Sequence, residues 1–137
     1  MAVFVDTGAW FAYFVRRDRD HADAVAWVQQ NRHPLVTSDF ILDELLTLLK
    51  LRESQRVAVA AGNLLWTETV AHLERVSSED LDRAWETFRR FADKDWSFTD
   101  CTSKVIIERL HVIEAFAFDH HFDQFGTVTR LPRSISS

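Results

Sequence analysis

Four acidic residues stand where a carboxylate is placed for chemistry rather than for solubility. Asp6 directly follows a short apolar run, Ala2-Val-Phe-Val5, and Thr7 sets a hydroxyl beside it. Glu44 has Phe40, Ile41, Thr47, Leu48 and Leu51 as its neighbours at helical spacing, so it lies on a mostly apolar face. Its neighbour Asp43 instead shares a face with Asp39, Thr47 and Lys50, an ordinary solvated arrangement. An ionised carboxylate on an apolar face is costly unless a cation, from an arginine or a metal, compensates it. Asp100 closes Trp96-Ser-Phe-Thr-Asp100, where Ser97 and Asp100 also have the spacing of a helix capping box. Asp119 ends the apolar stretch Phe116-Ala-Phe-Asp119, and Asp123, four residues on, could share its role or replace it. His120 and His121 follow, and adjacent side chains do not easily face one site, so surface positions are expected for both.

Oxygen-only donors suit hard cations, Mg²⁺ or Mn²⁺, better than zinc. One or two such ions can orient a water, acidify it and stabilise the charge that develops on a phosphodiester, so that no protein nucleophile is needed. Asp6 and Asp100 each have a plainer reading as helix caps, and an acid in a first helical turn also gains from the helix dipole.

The elements that would bring these residues together are legible in the pattern. Strands are expected over residues 2–5, 35–37, 73–76, 112–118 and, as an edge, 128–131. Helices are expected over residues 8–15, 21–31, from Ser38 or Asp39 to about 53, over 55–68, after Ser77-Ser-Glu-Asp80, and from Ser97 to about 110. Strands alternating with helices predict a parallel sheet covered on both faces, whose ligand crevice lies beyond the carboxyl ends of its strands. Asp6 and Asp119 fall at such ends, and the two helix starts carry Asp100 and Glu44 toward the same edge.

Bulk composition agrees with one domain over residues 1–137, with a frayed Ser-rich tail at 134–137. The chain is 47% hydrophobic and 12% aromatic, ample for a core. Its single cysteine, Cys101, excludes an internal disulfide and fits a reducing compartment. The first residues do not read as a signal peptide, and no apolar run is long enough to span a bilayer, so a cytoplasmic protein with no membrane partner is expected. The net charge of −5 argues mildly against a polyanionic substrate, unless bound cations reverse the local field. Arg89, Arg90, Lys94 and Lys104 are the basic residues expected nearest the crevice. Trp10, Phe11, Phe14, Trp27, Trp66, Trp85 and Phe88 fall mostly at helical spacing and fit core or a partner surface better than base stacking.

Four motifs in this order, the strand ending in Asp6-Thr7, then Ser38-Asp-Phe-Ile-Leu-Asp-Glu44, Trp96-Ser-Phe-Thr-Asp100 and Ala115-Phe-Ala-Phe-Asp119-His-His-Phe-Asp-Gln-Phe-Gly126, resemble a PIN domain. More narrowly they resemble the VapC-like toxin ribonucleases of bacterial and archaeal toxin–antitoxin pairs. Asp20-His-Ala-Asp-Ala24 is similar to a short pattern after the first helix of those proteins. The resemblance spans residues 3 to about 131 and implies a three-layer α/β/α fold with a central, mainly parallel sheet. It implies cleavage of RNA with Mg²⁺ or Mn²⁺ at Asp6, Glu44, Asp100 and Asp119, with Thr7 in the polar position after the first acid. It further implies a homodimer and a small antitoxin whose C-terminal segment blocks the acids. Ala117 departs from the pattern, which commonly has Thr or Ser two positions before the last acid.

Other classes fit less well. A haloacid-dehalogenase-type phosphotransferase needs an acid at the position of Gly8, and a receiver domain needs an acidic pair near the first strand. The remaining alternative is a PIN scaffold without catalysis that binds RNA or a protein.

Overall fold

The computed structural model describes residues 1–133, so the tail expected at 134–137 lies outside the described residues. Five strands form one all-parallel sheet: β1 Val3–Val5, β2 Leu35–Ser38, β3 His72–Glu74, β4 Glu114–Phe116 and β5 Thr129–Leu131, in the order β3-β2-β1-β4-β5. Parallel neighbours need long crossovers, and helices supply them. α1 Thr7–Phe14 and α2 His21–Gln30 join β1 to β2, while α3 Asp39–Arg52 and α4 Gln55–Trp66 join β2 to β3. α5 Ser78–Arg90 and α6 Phe98–Arg109 join β3 to β4, and a 3₁₀ segment, His120–Phe125, joins β4 to β5. This is the α/β/α arrangement expected from the sequence.

β1 is the hub. Val3, Phe4 and Val5 are all completely buried, as a central strand covered on both faces requires. From β1 the chain moves outward through β2 and β3, then returns to the other side of β1 for β4 and β5. The order therefore reverses between β1 and β4, which opens a crevice at their carboxyl ends. Asp6 and Asp119 follow those two strands, and the Asp6 amide donates to the Phe116 carbonyl at 3.1 Å, closing the end of the ladder.

Local chemistry sets the boundaries. Ser38 is the cap of α3, its Oγ accepting from the Ile41 amide at 3.1 Å, whereas Asp39 accepts from the Val76 amide at 3.0 Å. That bond takes Val76 out of the β3 ladder, so β3 ends at Glu74 rather than at the expected residue 76. β4 is likewise shorter than the apolar stretch 112–118. The Val112 amide donates back to Ile107 and the His111 amide to Glu108, a Schellman closure of α6 with His111 at φ 56°. The 3₁₀ segment was not expected; its Phe122 and Phe125, three residues apart, both enter the core.

Candidate active site

Asp6 sits at the end of β1 with only 5% of its surface exposed. Its carbonyl starts α1 by accepting from the Trp10 amide at 3.1 Å, but its carboxylate makes no side-chain cap bond. Burial, then the negative charges of Asp100, Glu44 and Asp119, push the carboxyl up to about 8, against a smaller downward pull from the Thr7 amide. The other three acids singled out in the sequence are thus close enough for Asp6 to sense each of them. Asp123 is not among the groups that Asp6 senses. It is exposed, it pairs with Arg130 at 3.1 Å, and that guanidinium holds its carboxyl below the usual range despite some burial.

Each remaining acid is fixed by a different element. Glu44 stands one turn into α3 and is half-buried. Among the described residues no basic side chain pairs with it; the arginine pairs engage Glu53, Asp20, Glu86, Glu74, Asp80 and Asp123. Asp100 does occupy a capping box at the start of α6, accepting from the Ser97 amide at 3.0 Å while Ser97 Oγ accepts from the Asp100 amide at 3.0 Å. Capping uses Oδ2, so it coexists with a place in the cluster. Asp119 caps the 3₁₀ segment, its Oδ1 accepting from the His121 amide at 2.9 Å.

His121 belongs to the cluster, contrary to the surface position expected for it. Its Nδ1 lies 2.9 Å from Asp100 Oδ2 and 3.3 Å from Asp119 Oδ1, in reach to donate to either. The argument that adjacent histidines cannot share one site holds, because His120 points away, with 86% of its side chain exposed. The same argument leaves one of the two free to turn inward, and the turn begun by Asp119 selects His121.

Beneath the acids, Thr37 ties three elements together. Its Oγ1 accepts from the Trp10 indole at 3.2 Å and donates to the Val5 carbonyl at 3.0 Å, joining β2, α1 and β1. Thr7 Oγ1, beside Asp6, is buried and has no hydrogen-bond partner. An unpartnered buried hydroxyl costs about 1–3 kcal/mol.

These features fit a hard divalent cation. The donors are carboxylate oxygens, among the described residues no Lys or Arg forms an ion pair with Asp6, Glu44, Asp100 or Asp119, and an orphaned hydroxyl adjoins Asp6. Among the described residues no three His, Cys, Asp or Glu side chains already form a ligand cage.

The basic residues expected near the crevice are largely committed elsewhere. Arg89 pairs with Glu86, Lys94 with Asp93 and Lys104 with Glu108, while Arg90 lies over the Phe91 ring. The aromatic set divides: Trp10 is core, Trp27 is half-buried, and Trp66, Trp85 and Phe88 are exposed.

A family model described as PIN domain matches residues 3–127. The chain belongs to the PIN-domain family. It is 33% identical over 130 residues to the 23S rRNA-specific endonuclease VapC20 of Mycobacterium tuberculosis, covering 95% of this chain and 98% of that one. It is 31% identical over 127 residues to a VapC ribonuclease of Archaeoglobus fulgidus, covering 89% and 80%. The crystal structure of the M. tuberculosis VapC20, described as a Sarcin-Ricin loop cleaving toxin, superposes with a TM-score of 0.87 at 32% identity over 92% of this PIN domain and 96% of that chain. A chain of VapBC2 from Rickettsia felis matches at a TM-score of 0.68 and 8% identity, over 95% and 97% of the two chains, which is a likeness of fold. Among the described residues no helix of this PIN domain is long and apolar enough to cross a membrane.

Proposed function

We propose that this PIN domain is a metal-dependent endoribonuclease and the toxin of a toxin–antitoxin pair. The observation that carries the reading is the shared electrostatics of the acids: Asp6, buried at the end of the central strand, is raised to about 8 by burial and by Asp100, Glu44 and Asp119 together. A buried acid repelled by three others at a topological switch point burdens the fold, which supports a functional use for the set. Relatives of matching length and about one-third identity are named as ribonucleases, and one of them as a toxin.

Asp6, Glu44, Asp100 and Asp119 would hold Mg²⁺ or Mn²⁺, which supplies charge neutralisation at the phosphodiester and an acidified water. The chain's own contribution is positional. β1 and β4 fix Asp6 and Asp119, the capping box fixes Asp100, and His121 keeps Asp100 and Asp119 in register. Thr7 Oγ1, buried and unpartnered beside Asp6, would hydrogen-bond the water or a phosphate oxygen. The protein works in the cytoplasm as a homodimer, under the control of a small antitoxin.

An RNA panel that includes 23S rRNA, incubated with and without Mn²⁺, tests this reading. Cleavage that needs the metal, and that Asp6→Asn and Asp100→Asn abolish without unfolding the protein, is expected. Cleavage that persists in EDTA or in either variant overturns it.

A further inference from the structure

The Phe118 ring lines a cleft of about 540 Å³ between α2 and the carboxyl end of β5, together with Trp27, Arg130, Arg133, Asp20 and Asp23. Phe118 directly precedes Asp119, with consecutive Cα atoms ~3.8 Å apart, so the chain leads from the wall of this cleft to one residue of the acid cluster. We propose that it is a binding subsite for one unstacked nucleotide of the RNA. The proposal rests on the ribonuclease reading above.

Three features select a nucleotide. The first is an aromatic wall built on a rigid support. Phe116 is completely buried; Trp27 stacks on it at 4.2 Å between centroids and 24° between planes, and Phe118 meets its edge at 5.8 Å and 66°. Phe116 thus covers one face of the Trp27 indole, and the half-buried remainder lines the cleft. Single-stranded RNA is bound on such surfaces, by stacking a splayed base on an aromatic ring.

The second feature is a pair of guanidiniums in different states. Arg130 is pinned, with Nε on Asp123 at 3.1 Å and Nη1 on the Ala117 carbonyl at 3.4 Å. Arg133 is exposed and makes no ion pair among the described residues. A pinned and an unengaged guanidinium at the rim suit the phosphate that joins this nucleotide to the next.

The third feature is the acidity of the opposite wall. Asp20 and Asp23, at the start of α2, disfavour a continuous run of phosphates but accept N–H donors from a base edge. The cleft is therefore matched to a single nucleotide, base inward and phosphate outward. Its volume is within the roughly 300–1,000 Å³ usual for small-molecule sites.

The test is fluorescence anisotropy with a labelled single-stranded RNA in EDTA, so that nothing is cut, using Arg133→Ala and Phe118→Leu, followed by ultraviolet cross-linking and peptide mapping. Roughly tenfold weaker binding by each variant, with cross-links at Trp27 or Phe118, is expected. With Mn²⁺ present, Arg133→Ala should raise KM more than it lowers kcat. Because Arg133 is exposed, that variant leaves folding out of the outcome. A protein that cuts RNA while both variants bind it like wild type, with no cross-link in the cleft, overturns the subsite and leaves the ribonuclease. A wild-type protein that neither binds nor cuts RNA overturns both. Variants that lose a co-expressed protein partner while keeping RNA affinity also overturn the subsite, and assign the cleft to that partner.

Discussion

The His121 imidazole stands 2.9 Å from Asp100 Oδ2 and reaches Asp119 Oδ1 at 3.3 Å, bridging two acids that arrive from different elements. Asp100 comes from the start of α6 and Asp119 from the end of β4, so without the ring nothing in the described structure links their carboxylates directly. Partners that orient ligating groups typically matter by 10–100-fold in metal affinity or activity. His121→Ala is therefore expected to reduce both the Mn²⁺ affinity read by calorimetry and the cleavage rate by about tenfold or more. His120→Ala, exposed and outside the cluster, should change neither. Equal effects of the two substitutions would remove His121 from the site.

The raised Asp6 carboxyl makes a pH prediction with a definite sign. In the unfolded chain the group releases its proton near its ordinary value of 3.8; in the folded, metal-free protein it holds the proton up to about 8. Between these values the native state binds more protons, so this group's contribution to stability falls as pH rises and levels off above about 8. Asp6→Asn abolishes that slope. Thermal melts in EDTA should show the variant gaining on wild type from pH 5 to pH 8, with an advantage of at least about 1 kcal/mol at the upper end. Added Mn²⁺ should stabilise wild type and not the variant. A constant difference across the range would mean that Asp6 is not the buried, repelled acid described here.

Much of this architecture is legible in the chain because local and global preferences agree. The apolar runs before Asp6 and before Asp119 read as strands and contain them, Ser97 caps a helix as its spacing with Asp100 predicts, and the run Ser77-Ser-Glu-Asp80 starts one. What is not legible has a physical cause in each instance. Whether Ser38 or Asp39 caps α3 depends on Val76, a partner that only the assembled sheet brings near. Six residues of 3₁₀ helix show too little periodicity to be recognised, although the Phe122/Phe125 spacing is a trace of it. His121 is hidden by its neighbour: sequence adjacency shows that one of the two histidines must face away, and only the Asp119 turn decides which. The cleft is built from α2 and from residues beyond β4, so no local pattern marks it. The sequence likewise assigns Glu44 to a charged position on an apolar helix face, but only the fold shows that no arginine among the described residues pairs with it.

Cys101 follows Asp100 in α6 and is completely buried. Burial first, then the Asp100 charge, pushes its thiol up to about 11, against a weaker pull from Lys104. The thiolate is the reactive species, so a buried thiol with this value is inert at neutral pH. Treatment of the native protein with a chromogenic disulfide reagent at pH 7.5 should release no chromophore over the time in which the urea-unfolded chain releases one equivalent. Rapid labelling of the native protein would place Cys101 at an open part of the crevice instead.

A bidentate, largely buried ion pair lies away from the acids. Arg109, at the end of α6, donates Nε to Asp80 Oδ1 and Nη2 to Asp80 Oδ2, both at 2.9 Å, and Nη2 also reaches Glu74 at 3.0 Å. Only 2% of the Asp80 side chain is exposed. Burial would raise its carboxyl, but the Arg109 bonds, with those from Ser77, outweigh it and hold the group below its usual value. The sign is opposite to that of Asp6: a depressed carboxyl stabilises the fold above the unfolded-state value of 3.8, and this contribution is lost as pH falls below it. Asp80→Ala leaves the Arg109 guanidinium partly uncompensated and removes half of the α5 capping box, so it should cost about 3 kcal/mol in urea unfolding at pH 7. The cost should shrink below pH 4, where the acid of the unfolded wild-type chain begins to protonate while the paired one stays ionised. Because Asp80 joins α5 to the far end of α6 rather than to the start that carries Asp100, folded Asp80→Ala should retain wild-type RNA cleavage at 25 °C. A loss of cleavage without a loss of stability would show that the pair acts on the site, not on the scaffold.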